Sequence, residues 1–407
     1  MKKSVLAVAI AAAAFAASAA SAAQVYDKDG TTLAVGGQVE FMAGNAGNSY
    51  FSNGGQDATT RDRARVNLAG RTQLTNGIAG YGFMEWEANH MGTSQEAQAI
   101  NARFAFLGAD FGKFGKVQVG RYVDPFEYAS NLVDVLDEVG VYGGNDERNS
   151  GHISYMWSGY GFDAGISYQM AEDNYKSDLL GNNKNFNVDS GFSIYAGYTS
   201  PVVLFGPISV RAAYLYLNGQ AERDGGNKYD YEVTNITTTT ATAESSLIDS
   251  MKSIDGALAW GTNGKGFYIA TNYNYAKAKS SKDYTWTTTT SASGTSTSVV
   301  ADDTNDELTV KAWETVATYG FANGVRLGAS YHFIKTTYKD LLDDEKESGN
   351  TKYVQLIADY NVTPNFKVWA EGLIDAGSDD GYPKISSKFD GKDSGHNSFM
   401  VGARYVF

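Results

Sequence analysis

The sequence predicts an all-β protein, a transmembrane antiparallel β-barrel of sixteen strands. Three observations predict it. Apolar and polar residues alternate with period two in run after run, the pattern of strands with two unlike faces. Those runs are joined alternately by short turns and long polar loops. Beyond the first two dozen residues no apolar run reaches helix-spanning length. Any passage through lipid must therefore use strands closed on themselves, because backbone groups in lipid must be paired internally.

In chain order, the first element is an export signal. Lys2 and Lys3 precede an apolar run over 5–17 and small residues over 18–23. The apolar core is too short to span a bilayer comfortably, and Ala20-Ser21-Ala22 supplies a small-residue cleavage site. Residues 1–22 are expected to be removed, leaving a single barrel over 23–407. Losing Lys2 and Lys3 makes the formal charge of −13 more negative by two. An acidic balance argues against nucleic acid as a partner. It is compatible with a surface facing anionic lipopolysaccharide through divalent cations.

Composition fits the barrel. The 407 residues include 45 Gly, 27 Tyr and 20 Phe but only 5 Pro and no Cys. Glycine and aromatic enrichment in short alternating runs suits strands and their membrane interfaces. The absence of Cys excludes a disulfide framework and a thiolate metal site.

Sixteen strands are expected near 33–44, 62–74, 79–90, 98–110, 115–121, 148–158, 162–171, 190–199, 208–218, 248–260, 267–279, 308–319, 325–336, 352–361, 366–375 and 398–407. In the second of them Ala64, Val66, Leu68 and Gly70 share one face while Arg63, Arg65, Asn67 and Arg71 share the other. In a wide barrel the apolar face meets lipid and the charged face meets water. Turn chemistry at Thr75-Asn76-Gly77, Ala322-Asn323-Gly324 and Thr363-Pro364-Asn365 marks short connections. The tracts 234–246 and 285–298, nearly all Ser, Thr, Ala and Asn, are expected to be solvated loop. On the last strand Phe399, Val401, Ala403, Tyr405 and Phe407 share the outward face and Arg404 points inward.

One long connection differs from the others. Residues 122–147 hold no Lys or Arg but carry Asp124, Glu127, Asp134, Asp137, Glu138, Asp146 and Glu147. The same stretch carries Phe126, Tyr128, Leu132, Val133, Val135 and Leu136, too much apolar surface to leave in water. A connection both acidic and apolar is expected to pack against a wall while presenting carboxylates elsewhere. The expectation is a loop folded inside the barrel, lining a pore.

Gly80-Tyr81-Gly82, Glu85 to Asn89, Asn101-Ala102-Arg103-Phe104-Ala105-Phe106, Val119-Gly120-Arg121, Arg148-Asn149-Ser150 and the C-terminal Val401-Gly402 with Tyr405 and Phe407 stand in an order and spacing that resembles the trimeric general porins of the Gram-negative outer membrane. Ala23 to Gly30 resembles that family's mature N-terminus. The resemblance implies a homotrimer in the outer membrane that passes ions and small hydrophilic solutes by passive diffusion. It implies a third loop whose acids face a ladder of arginines. Asp134 and Glu138 match the loop acids, with Asp137 an added one, and Arg65, Arg103 and Arg121 match the wall. Gly402, Tyr405 and Phe407 match the signal read by the barrel assembly machinery. Gln38 stands where the family often has Lys, and the additional arginine before Arg148 is missing; both departures lean the expected preference toward cations. Carboxylates facing guanidiniums across a narrow water path create a transverse field that polar solutes tolerate and apolar ones do not.

Two other readings fit the same outline: a substrate-selective porin, for instance for saccharides, and a barrel serving mainly as an adhesin or structural protein. An enzyme is not expected. His90, His152, His332 and His396 are scattered, and no nucleophile-elbow, phosphate-loop or metalloprotease pattern accompanies them. Asp27-Lys28-Asp29-Gly30 and 302–307 lack full calcium-ligand spacing. No cofactor and no metal are expected.

Overall fold

The computed structural model of the chain describes residues 22–45, 59–91, 100–137, 148–175, 177, 186–220, 239–291, 294–340, 346–377 and 397–407. The residues read as an export signal, up to 21, lie outside this set, as does Glu138. Eighteen strands occur among the described residues: β1 (Ala23–Lys28), β2 (Thr31–Gly44), β3 (Thr59–Thr75), β4 (Ile78–Met91), β5 (Ile100–Asp110), β6 (Lys116–Val123), β7 (Arg148–Gly159), β8 (Phe162–Gln169) and β9 (Glu172–Tyr175). Then follow β10 (Phe186–Val203), β11 (Gly206–Gly219), β12 (Thr239–Thr262), β13 (Lys265–Ser291), β14 (Gly294–Gly320), β15 (Val325–Asp340), β16 (Lys346–Thr363), β17 (Phe366–Asp375) and β18 (Ser398–Val406).

These make a closed ring of sixteen rows. The short β9 continues β8 along the same side of β10. In the same way β1 continues β18 along the same side of β2. Every other strand pairs antiparallel with its neighbours in the chain, and β18 closes the ring on β2 from Met400↔Gly44 to Val406↔Gln38. Gly37 and Phe407 complete the seam with two backbone hydrogen bonds of 3.0 Å each. A closed ladder leaves no edge unpaired, which is what lipid demands. Each of the sixteen expected strands has its counterpart.

The faces are inverted relative to a water-soluble sandwich. On β8, Ile166 and Tyr168 are each 51% exposed while Ser167 and Gln169 are buried. On β12, Ile254 is exposed between the buried Ser253 and Asp255. On β15, Leu327 and Tyr331 face out while Ser330 and His332 are buried. Apolar groups thus gain from leaving water only if lipid covers them. On the last strand Phe399, Val401, Tyr405 and Phe407 are exposed and Met400 is buried, as the alternation requires.

One feature departs from the expectation. Much of the Ser/Thr tracts is strand, not loop: Ala243 pairs Trp286, Thr285 pairs Val300 and Thr288 pairs Thr297. Threonine is β-branched and stiff at χ1, so a polar Thr run still favours extended backbone. As a result β12 has 24 residues and β13 and β14 have 27 each. At roughly 3.3 Å per residue such strands far outrun a hydrocarbon core of about 30 Å. Before Ser250 β12 pairs with β13 alone, and before Asp306 β14 does likewise, so the ring continues there as a three-stranded ribbon. The short turns behave as read. Asn76-Gly77 joins β3 to β4 with Gly77 at φ +87°, a conformation that costs glycine little.

Candidate functional site

The described part of the acidic and apolar connection, 124–137, follows β6. Its backbone is fixed locally by side chains. Asp124 caps a 3-10 turn at Pro125–Tyr128, accepting from the Phe126 amide at 2.8 Å. Pro125 needs no amide partner at that position. The other Asp124 oxygen accepts from Ser167 Oγ on β8, 2.5 Å away. A second turn, Ser130–Leu132, follows, and Ser130 Oγ donates to the Glu127 carbonyl at 3.0 Å.

Two apolar clusters then seat the segment on the ring's buried face. Phe126 and Ala129, both fully buried, join Tyr195, Leu215, Leu217, Met251, Val310 and Ile334. Leu132, Val133 and Val135 join Ala257, Ala259, Tyr268, Ala270 and Val316. Complete burial of one such large side chain contributes about 1.5–3 kcal/mol. Three carbonyls of the segment are tied to the wall as well. Tyr128 O accepts from Arg211 Nη1 at 2.8 Å, Leu132 O from the Tyr268 hydroxyl at 2.5 Å, and Val135 O from Arg326 Nη1 at 2.8 Å. The segment therefore follows the wall from β8 round to β15.

Its end is held by charge. Asp137, with a side chain 5% exposed, lies 2.6 Å from Lys367 Nζ, 3.0 Å from Arg404 Nη1 and 3.9 Å from Arg326 Nη2. Its amide donates to Glu371 on β17. Arg326 also pairs with Asp359, and Arg404 with Glu40 at 2.6 Å. Beside this cluster is a cavity of about 390 Å³ at the short-turn end of the barrel, lined by Asp134, Asp137, Arg326, Asp359, Asn361 and Lys367.

The two described acids of the expected constriction, Asp134 and Asp137, thus share one cavity. The bases that Asp137 meets, Lys367, Arg404 and Arg326, are not the expected ones. Arg65 pairs with Glu87 across β3 and β4. Arg103 pairs with Glu85 at 2.9 Å and with Glu87 at 3.0 Å. Arg121 donates from Nε to the Ala102 carbonyl at 3.1 Å. The physical reason is the apolar content of the segment. Its greasy residues match the apolar patches of β10–β15, which carry Asp137 to β15, β17 and β18, not to β3, β5 and β6. Sequence reading missed Glu40, Glu85, Glu87, Arg326, Asp359 and Lys367. Period two offered a signal for two of them, since Glu85 and Glu87 flank the outward Trp86.

At the ring's seam Gly402 makes room for the buried indole of Trp369, which a Cβ there would strike. Tyr405 and Phe407 stand outward with rings 6.4 Å apart. One buried group looks like a hydrolase: Ser330 Oγ lies 2.7 Å from His332 Nε2, whose Nδ1 lies 2.7 Å from Glu314. All three side chains are under 5% exposed, Ser330 donates to Gln355 at 2.9 Å, and the imidazole stacks on Tyr353. That arrangement satisfies a polar wall, as buried polar groups require.

A family model described as Gram-negative porin matches residues 7–373. Outer membrane porin C of Rahnella aquatilis is 30% identical over 157 residues, covering 36% of this chain and 44% of that protein. Outer membrane protein S2 of Salmonella typhi is 27% identical over 234 residues, covering 49% of the chain and 59% of the relative. The chain thus spans about half the length of these two curated relatives. Porin-like protein L of Photobacterium profundum is 26% identical with both chains fully covered. Among solved structures, OmpF of Salmonella typhi in complex with daunomycin superposes with a TM-score of 0.66 at 20% identity, covering 95% of this chain and all of that one. The trimer form of OmpT of Vibrio cholerae gives 0.56 at 16% identity, covering 93% and 100%. At such identities these structures speak for the fold.

Proposed function

The chain belongs to the Gram-negative porin family, and from that premise we propose that it is an outer-membrane channel for passive diffusion of ions and small hydrophilic solutes. One observation carries the reading. The ring is closed, its exposed face is apolar, and its other face keeps partly exposed Arg63, Arg65, Arg103 and Arg404 beside buried carboxylates. A charged face turned inward in a closed barrel has a purpose if water runs along it.

On this reading the segment 124–137 lies in the lumen and fills the side along β10–β15. The water path is then eccentric, running along β2–β6 and β16–β18. Pairing of arginines with glutamates leaves no strong excess of positive charge on that side, which suits a mild preference for cations. The chain works as a homotrimer among outer-membrane lipids and lipopolysaccharide, exported by residues 1–22. Gly402, Tyr405 and Phe407 serve its insertion by the assembly machinery.

Conductance of the purified protein in a planar bilayer tests this. Large, nearly ohmic steps that close in thirds are expected, with a reversal potential of cationic sign. Silence from a folded barrel would instead make the segment a plug and the protein an adhesin or structural barrel. Competition of one sugar for the ion current would make it substrate-selective.

A further inference from the structure

On β5, Leu107 is 63% exposed and Ala105 is exposed too, so strict alternation would turn Arg103 outward into lipid. The ladder between β4 and β5 breaks at that point. Glu85 pairs with Phe104 and Trp86 with Ala102, leaving Arg103 as the extra residue of a β-bulge. A bulge re-aims one side chain without disturbing the faces on either side of it. Here it turns Arg103 inward, where one guanidinium reaches both Glu85 and Glu87. Glu87 also holds Arg65, its cross-strand partner on β3. The four charges form one neutral group on three adjacent strands. The guanidiniums are the more exposed members, at 18–19%, and the carboxylates sit behind them at 6–9%.

We propose that Glu85 and Glu87 are the residues that decide which sign of ion this channel prefers, by cancelling the positive charge of Arg65 and Arg103 on the open side of the path. The proposal rests on the channel reading above. An ion passing the group meets closely spaced opposite charges, whose field falls off faster than that of a bare guanidinium. Neutralising one glutamate exposes a net positive charge beside the path. A unit charge about 7 Å away through water shifts the local concentration of a monovalent ion by about threefold. Asp137 lies elsewhere, already surrounded by Lys367, Arg404 and Arg326.

The test is the reversal potential of the full-length protein in a planar bilayer across a potassium chloride gradient at low salt. Glu87→Gln and Glu85→Gln should each lower the cation-to-anion permeability ratio by about threefold or more. The shift should fade near 1 M salt, where charges are screened within about 3 Å. Arg65→Gln combined with Glu87→Gln removes one charge of each sign and should return the ratio close to that of the parent. A merely structural role for Glu87 predicts no such return. If both single variants conduct with an unmoved ratio, the proposal is wrong while the channel reading stands. If Glu87→Gln does not fold, Glu85→Gln and the double variant decide alone. A folded parent that passes no current overturns the channel reading, and this proposal with it.

Discussion

Asp137→Ala frees the end of the 124–137 segment from the wall. The carboxylate it removes is nearly sealed from water and bridges cations on β15, β17 and β18. Truncating one partner of a buried ion pair costs about 3–5 kcal/mol, because the remaining charges stay buried. Arg326 keeps Asp359 and Arg404 keeps Glu40, which puts the expected cost near the lower end, about 3 kcal/mol. That corresponds to roughly a hundredfold rise in the fraction of time the segment is detached. The chain has no cysteine, so a single reporter reads this cleanly. Ser130 is 1% exposed, and a Ser130→Cys thiol should react slowly with a water-soluble maleimide. Adding Asp137→Ala should speed that labelling by about two orders of magnitude. An unchanged rate would mean that charge does not hold the segment.

Phe126→Ala attacks the same segment at its other anchor. Phe126 is fully buried between the segment and Tyr195, Leu215, Leu217 and Met251. Phe→Ala in a packed core costs about 3–5 kcal/mol, the sum of lost transfer energy and an unfilled cavity. That loss should fall on the segment and spare the ring, since the ring rests on a continuous backbone ladder to which Phe126 contributes nothing. The expected result is a barrel with its heat resistance on gels unchanged, but with larger and noisier single-channel steps. Phe126→Leu keeps most of the volume and should behave nearly like the parent. Loss of heat resistance in step with the change in conductance would show that the segment and ring unfold as one unit.

Much of this fold was legible because a membrane barrel obeys few rules. Phe399, Val401, Tyr405 and Phe407 could be placed outward from alternation alone, and Asn76-Gly77 could be placed in a turn by its chemistry. The segment 124–137 declared itself by mixing carboxylates with Phe126, Leu132 and Val133. What stayed hidden depends on register. A bulge adds one residue without altering composition, so nothing in Asn101-Ala102-Arg103-Phe104 says that Arg103 turns toward Glu85 and Glu87. The partners of Asp137 were out of reach for a similar reason. Lys367 and Arg404 lie more than two hundred residues further along the chain, and only the path of the segment over the apolar patches brings them together. The Thr tracts were misjudged because polarity was weighed above backbone stiffness.

The seam of the ring has a consequence for how the molecule can be redrawn. Ala23 stands opposite Val35 of β2, and Phe407 stands opposite Gly37. One position, facing Gly36, separates them, a gap of about 7 Å from strand spacing. Both flanking strands run in the same direction along β2, so β18 and β1 form one strand with a nick in it. Geometrically the barrel has no first strand. A circular permutant that joins Phe407 to Ala23 through one or two residues, and opens the chain in a long connection such as 378–396, should refold in detergent and conduct as the parent does, although the assembly signal ending at Phe407 is then internal. Where synthesis begins is then a matter of the gene's layout and leaves no mark on the ring.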